Sequence, residues 1–471
     1  MRHTADKPVS SECRSERRLN ARLGVSVCMS SASQEQSKPV ELSLTLLVVA
    51  SLGVLNASAA TRHSPSSRFT SYESKVMCGY QGWFRANGDG SGEGWQHFVT
   101  RGRFDAKHLK VDLWPDVSEY PRTYPTPFKL PDGSAARLFS SWDASTVDLH
   151  FRWMKDYGID GAFMQRFFRV TRSPESRAQG RVILGHALRA SRQHGRALAV
   201  MYDLSGLKER GEDCSSVIED WKELVDELRL TSQGTNQTYL YHRGKPLVAI
   251  WGLGFVSRPY DIRRIGIEKL IRFLRDDPEY GGCSLLLGVP TYFRDLRRDT
   301  VSDSYLHELI AKADVIMPWM VGRFTSESDD EIERYKTQVA SDIAWCRQRN
   351  LDYAPCVYPG FSWHNLSRNT KDRVGPLGQI PRQRGRFYWS LINAAVQSGA
   401  KIMYVAMFDE IDEGTAIFKC SNQPPQPGPP ARLLTYEGLA SDHYLWLTGL
   451  AGRLLRGELP PSPDHHLLPG R

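Results

Sequence analysis

Four acidic residues crowd into five positions near the end of the chain: Asp409, Glu410, Asp412 and Glu413, within "MFDEIDEG". An apolar run, "KIMYVAMF", leads straight into them. Like charges this close repel, and burying one of them unpaired is costly. Such a cluster is either a solvated turn or a set of acids with chemistry to do. Glu410 and Glu413 stand three apart where a strand passes into a loop, so both can project over one cleft. Cleavage of a glycosidic bond uses two such carboxyl groups, one protonated and one ionised. Mutual repulsion in a semi-dry cleft would raise one pKa and supply the acid, leaving the other as the base.

The elements that must carry these residues alternate in type. The strand candidates are "VMCGYQGWF" (76–84), "GIDGAFMQRF" (158–167), "ALAVMYDLSG" (197–206), "PLVAIWGLGF" (246–255), "CSLLLGVP" (283–290), "DVIMPWMVG" (314–322), "YAPCVYPGF" (353–361) and "KIMYVAMFDE" (401–410). Each is nearly continuously apolar, as parallel strands buried on both faces are. Helical patterns fill the gaps, among them "TVDLHFRWMKDYG", "RVILGHALRASRQHG" and "SSVIEDWKELVDELRL". Gly158 and Gly195 stand at helix ends, where a left-handed residue is favoured. Strand followed by helix, eight times over, predicts a (β/α)8 TIM barrel forming a single catalytic domain. An open doubly wound sheet would alternate in the same way, but no nucleotide-binding fingerprint occurs at any turn.

Chemistry in such a barrel gathers at the C-terminal ends of the strands. Read in order, those ends hold Gln81 and Trp83, Gln165 and Arg166, Asp203 and Ser205, Trp251, Trp319, then Tyr358 with Phe361 and Trp363, and finally Asp409, Glu410 and Glu413. Aromatic rings suit the apolar C–H faces of sugars, and carboxylates and amides suit their hydroxyls. The candidate substrate-binding residues are therefore Asp409, Trp83, His97, Arg166, Asp203, Trp251, Trp319, Tyr358 and Trp363. His97 can equally reach the cleft or pack. The first β-to-α connection, about 85–146, is too long for a simple turn and rich in Trp, Tyr and Pro, as a cleft wall, a lid or a packed excursion would be.

Other chemistries find no support. There is no nucleophile on a tight turn, no HExxH and no phosphate-cradling loop. "NGDGSGEG" matches a calcium loop at Asn87, Asp89, Ser91 and Gly92, but Phe98 stands where a bidentate Glu is required. No metal and no cofactor is expected. The formal net charge is +8, yet Lys and Arg are scattered with no basic stripe, which argues against a nucleic-acid partner. Eight cysteines are present; the six beyond residue 60 form no CxxC pair, and Cys78, Cys283 and Cys356 sit in apolar runs as buried small hydrophobes.

The chain divides into an N-terminal leader and secretory signal (1–60), a linker (61–75), the catalytic barrel (76–458) and a disordered Pro-rich tail (459–471). "LSLTLLVVASLGVLNASAA" (42–60) reads as a signal peptide cleaved near Ala59 or Ala60, placing the mature protein in the periplasm, at the cell surface or outside the cell. The basic stretch before it is long, and Met29 is an alternative start. The same run retained as an anchor is the competing reading.

"FDEIDEGTAIF" resembles the "FNEWxEGTxIE" ending of family 99 glycoside hydrolases, the endo-α-mannosidase and endo-α-mannanase group. "GYQGWF", "LWPD" and "MYDLSG" resemble a bacterial family 71/99-like branch often labelled xylosidase/arabinosidase. The likeness runs from about Val76 to Gly452. It implies a retaining endo-glycosidase without a metal, acting on an α-mannan-like or related glycan. It also implies roles: Glu410 deprotonates the sugar's own 2-hydroxyl, which attacks the anomeric carbon, while Glu413 protonates the leaving oxygen and later activates water. Two acids three residues apart suit a nucleophile supplied by the sugar, because carboxylate-nucleophile enzymes place their acids on opposite sides of the bond. Asp409 stands where the family has Asn and Ile411 where it has Trp, which bears on sugar specificity. Those departures keep one rival open, a non-catalytic carbohydrate-binding barrel; the apolar run at 42–60 offers another, a surface-anchored structural protein.

Overall fold

The computed structural model describes residues 61–208, 211–232, 237–370 and 373–462. The leader at 1–60, with its apolar run, and residues 463–471 of the tail lie outside them.

The ring consists of eight parallel strands. β1 (Val76–Tyr80), β2 (Gly161–Phe167), β3 (Ala197–Asp203), β4 (Lys245–Trp251), β5 (Ser284–Pro290) and β6 (Val315–Trp319) follow the chain around it. β8 (Met403–Val405) pairs with β1, Val76 opposite Met403. β7 is broken into Asp352–Tyr353 and Cys356–Val357. Its first piece pairs with β6 and its second with β8, so the two halves close the barrel on different neighbours. Pro355 sits at the break, where it has no N–H to give to a ladder. That is why the single strand expected over 353–361 is two short ones. β3 and β5 are buried along their whole length, as strands covered on both faces must be.

Helices cover the outside: α1 (Ala144–Asp156), α2 (Pro174–His194), α3 (Ser215–Glu227), α4 (Ile267–Asp276), α5 (Tyr305–Ile310), α6 (Asp329–Arg347), α7 (Arg386–Gln397) and α8 (His443–Leu455). Two turns of α2 precede the apolar pattern that announces it. Ser173 caps them, its side chain accepting from the Ser176 N–H, and Pro174 opens the helix with a ready-set φ. Gly195 ends α2 in the left-handed region, as its position predicts.

The long β1–α1 connection contains an antiparallel hairpin, Tyr124–Lys129 with Ala135–Leu138. Its rings, including Phe84, Phe98, Phe139 and Trp114, are buried and pack edge to face. It is pinned to the loop after β8 by the Asp112 N–H on the Ile411 carbonyl (3.0 Å) and the Asp116 N–H on the Lys419 carbonyl (3.0 Å). Most of the connection is thus packed structure, and only its first part reaches the cavity described below.

Residues 61–75 are not a free linker. They run as a strap across the N-terminal rim: Arg62 N–H to the Glu279 carbonyl, Ser64 N–H to Thr231, Arg68 N–H to Gln237 and Ser74 N–H to Lys401, all 2.8–3.0 Å. Tyr72 is fully buried there, its hydroxyl donating to the Met403 carbonyl (2.8 Å). The first residues of the expected tail are also ordered, since Trp389 Nε1 donates to the Ser462 carbonyl (2.7 Å). The six cysteines of the described residues are free and buried.

Candidate active site

After Val405 the chain leaves the β8 ladder but stays buried, and 407–417 fold into a compact loop over the barrel mouth. Ile417 N–H donates to the Met407 carbonyl (3.1 Å), and Thr415 and Ala416 N–H donate to the Glu410 carbonyl (3.1 and 3.0 Å). Buried Arg382 holds the loop from below, donating to the carbonyls of Gly414 (2.8 Å) and Ala416 (2.7 Å). Gly414 has φ +61°, and a Cβ there would lie 2.9 Å from Ser362. Only glycine satisfies both the conformation and the approach. This loop brings Glu410 and Glu413 together on the wall of a cavity of about 700 Å³ at the C-terminal ends of the strands.

The four acids of the cluster have separate environments. Glu410 is buried, and each of its oxygens has a donor: Gln81 Nε2 on one, Thr415 Oγ1 (2.9 Å) on the other. Burial, followed by the nearby charges of Glu413 and Asp412, pushes its carboxyl well above the usual range, while the two donors favour the ionised form and oppose that shift. Glu413 is half-buried on the same wall. Asp409 does not line the cavity. Its two oxygens accept from the backbone N–H groups of Gln81 and Gly82 (2.9 Å each), tying the end of β1 to the end of β8. Asp412 is buried beneath the loop, one oxygen without a hydrogen-bond partner, and burial raises its pKa to about 6.

Around the pair, the β1 end contributes Trp83 and His97. The imidazole lies 3.9 Å from the indole at 14°, and Phe167 stacks on the same indole at 4.8 Å and 20°. With two of the protein's own rings on it, Trp83 offers the cavity an edge rather than an open face. His97 packs and lines the cavity at once; it has φ +63°, and burial with the charges of Lys110, Arg169 and Arg85 keeps it well below an ordinary histidine. Across the ring, Trp251 and Trp319 meet edge to face (5.4 Å, 78°) and form the aromatic wall. Asp203 lines the cavity with an oxygen accepting from the Ser205 N–H (2.7 Å), and burial raises its pKa.

Three expected binding residues need correction besides Asp409. Tyr358 is fully buried, its hydroxyl on the Phe324 carbonyl (2.6 Å), because β7 ends at Val357 and the chain turns inward. Trp363 bonds through Nε1 to Gln379 (2.8 Å), outside the cavity lining. Arg166 borders the cavity, but its guanidinium is held by buried Asp220, which also accepts from the Tyr202 hydroxyl (2.8 Å). Sequence reasoning missed Gln81 as a partner of Glu410 and missed Arg85, Arg169, Arg172 and Arg258 in the lining. All four arginines lie beyond the strand ends, in the βα connections, where a count of cations per connection would have shown them. In "NGDGSGEG", Asp89 accepts from Ser91 and Ser140, so its carboxylate organises the loop. Among the described residues, no group of three or more His, Cys, Asp or Glu is placed to hold a metal ion.

No family model and no curated protein matches the sequence. Among solved structures, the GH99 endo-alpha-mannosidase from Bacteroides thetaiotaomicron in complex with BIS-TRIS-Propane superposes with a TM-score of 0.56 at 15% identity, over 82% of this chain and 98% of that one. A second structure of that enzyme gives a TM-score of 0.55 at 15% identity over the same shares. The chain has the (β/α)8 barrel fold of that mannosidase structure.

Proposed function

We propose that the protein is an exported glycoside hydrolase that cleaves a polysaccharide or oligosaccharide in the cavity of the barrel mouth, with Glu410 and Glu413 as its catalytic residues. The observation that supports this best is the meeting of the two carboxyl groups on one cavity wall, with both oxygens of Glu410 already oriented by Gln81 and Thr415. The likeness of fold to an endo-alpha-mannosidase supports an endo-acting enzyme on an α-mannan-like or related glycan.

In this reading Glu410 takes the proton of the sugar's 2-hydroxyl, and that oxygen attacks the anomeric carbon with retention overall. Glu413 protonates the departing oxygen and then draws a proton from water. Burial favours a proton on Glu410 in the free protein, whereas a base must be ionised. A bound sugar hydroxyl adds a third donor to that carboxyl and lowers its pKa in place. The arriving substrate thus prepares its own base.

The test is Glu410→Gln and Glu413→Gln, each checked for folding by circular dichroism and assayed on a polysaccharide panel with product stereochemistry by NMR. Each substitution is expected to lower kcat by about 10²–10⁴-fold. Full activity in either folded variant removes the assignment, and tight oligosaccharide binding without any product would mark a binding barrel instead. Mass spectrometry of the mature N-terminus tests export, with cleavage expected near Ala59 or Ala60.

A further inference from the structure

Five arginines line the cavity, and three are already committed. Asp220 holds Arg166, Glu212 and the Gly206 carbonyl hold Arg172, and Glu93 with the carbonyls of Gly82 and Phe84 holds Arg85. Among the described residues, no carboxylate lies within ion-pair distance of Arg258 or Arg169, although the charge of Arg258 reaches Asp203 on the same cavity and favours its ionised form. Arg258 is half-buried in the connection after β4, its guanidinium 4.9 Å over Trp251 and 5.8 Å over Phe255. Its Nε is buried without a hydrogen-bond partner. Arg169 lies on the short helix Phe168–Thr171 after β2 and adds to the positive field around His97.

Among the lining arginines, Arg258 stands farthest around the ring from the glutamate pair, with Asp203 lining the cavity from the neighbouring strand β3. The glutamate pair comes from the end of β8, and β4 is four strands away in a ring of eight, directly across the mouth. A sugar chain spanning the cavity from the pair to the Trp251–Trp319 wall therefore ends against a guanidinium that stacking holds in place. Neutral hydroxyls are served by amides and carboxylates. A planar, delocalised cation with its donors unfilled suits a carboxylate or sulfate, which it can grip with two parallel hydrogen bonds. Because Arg258 is already ordered on Trp251, little side-chain freedom is lost on binding.

We propose that the glycan is acidic: a sugar unit bearing a carboxylate or a sulfate ester binds opposite the glutamate pair, its anion on Arg258 and a second anionic unit near Arg169. This rests on the cavity being a glycan site but not on cleavage taking place there.

Titration calorimetry on the full chain tests it with tetragalacturonate, its carboxyl-reduced neutral counterpart and a sulfated galactan tetrasaccharide. The expected result is that at least one acidic probe binds about tenfold tighter than the neutral one, with a preference that shrinks as salt rises. Preference for tetragalacturonate assigns the site to uronates, and preference for the galactan assigns it to sulfate esters. Arg258→Gln should lower the affinity for the acidic probe about tenfold more than that for the neutral probe, a split that general misfolding would not give. Arg258→Lys should keep part of the preference, and Arg169→Gln carries the test if the Arg258 variants do not fold. Equal or tighter binding of the neutral probe, no binding of either acidic probe, or full preference in both glutamine variants overturns the proposal. Product analysis separates the two readings. Acidic probes bound, with no glycan of the polysaccharide panel cut, leave this inference standing and remove the hydrolase, whereas cleavage of neutral glycans without any preference for the acidic probes does the reverse.

Discussion

Glu410 is held between opposing influences: burial and two neighbouring acids favour its protonated form, and two hydrogen-bond donors favour its charge. The acid limb of the pH–rate profile should report that balance. Gln81→Ala or Thr415→Val removes a donor to the charged form and is expected to move the limb upward by about one unit. Asp412→Asn removes a like charge and should move it downward. Asp412 also makes a prediction about stability. Its folded pKa of about 6 lies above the ordinary 3.8, so the folded state binds the proton more tightly than the unfolded chain. The stability it contributes is complete below about pH 4 and is lost as pH rises through about 6. Asp412→Asn should therefore stabilise the protein by about 1–3 kcal/mol at pH 8 and change little near pH 4, read by urea unfolding at both pH values. The repulsion within the cluster was legible from four letters. Which acid would be clamped and which left short of a partner was not, because the deciding groups, such as Gln81, lie 329 positions away.

The loop after β8 works because other elements fix its position. Asp409 joins it to β1 through two backbone amides, Arg382 supports it, and Ser362 N–H anchors its turn by donating to the Glu413 carbonyl (2.9 Å). Asp409→Ala leaves two buried N–H groups without acceptors and is expected to cost about 2–4 kcal/mol in chemical denaturation. Its activity loss should be recovered in part by Asp409→Asn, whose side chain keeps one acceptor. Strand and helix order could be read from apolar runs because barrel strands are buried on both faces. Element boundaries were harder. α2 begins in "PESRAQG", which has no apolar period, and β7 breaks at a proline that the run "YAPCVYPGF" hides among apolar residues. The break also explains why Tyr358 and Trp363, placed at the mouth by an unbroken strand, lie elsewhere.

At the scale of the molecule, the barrel is closed twice, by β7 pairing to both sides and by the strap at 61–75 drawn across the N-terminal rim. The strap was read as a linker because its polar, Ser-rich sequence has no periodicity, and backbone hydrogen bonds leave no pattern in side chains. A chain starting at residue 76 loses Tyr72 and the four rim bonds, and it is expected to unfold with about 3–5 kcal/mol less stability than one starting at 61. Thermal and urea denaturation of the two lengths would measure the difference. The strap also settles which way the protein can be held. Residue 61 emerges on the face opposite the glutamate pair, so a bead, a fusion partner or a solid support joined there leaves the opening turned toward the surrounding fluid, free to admit a long polymer from the side away from its attachment.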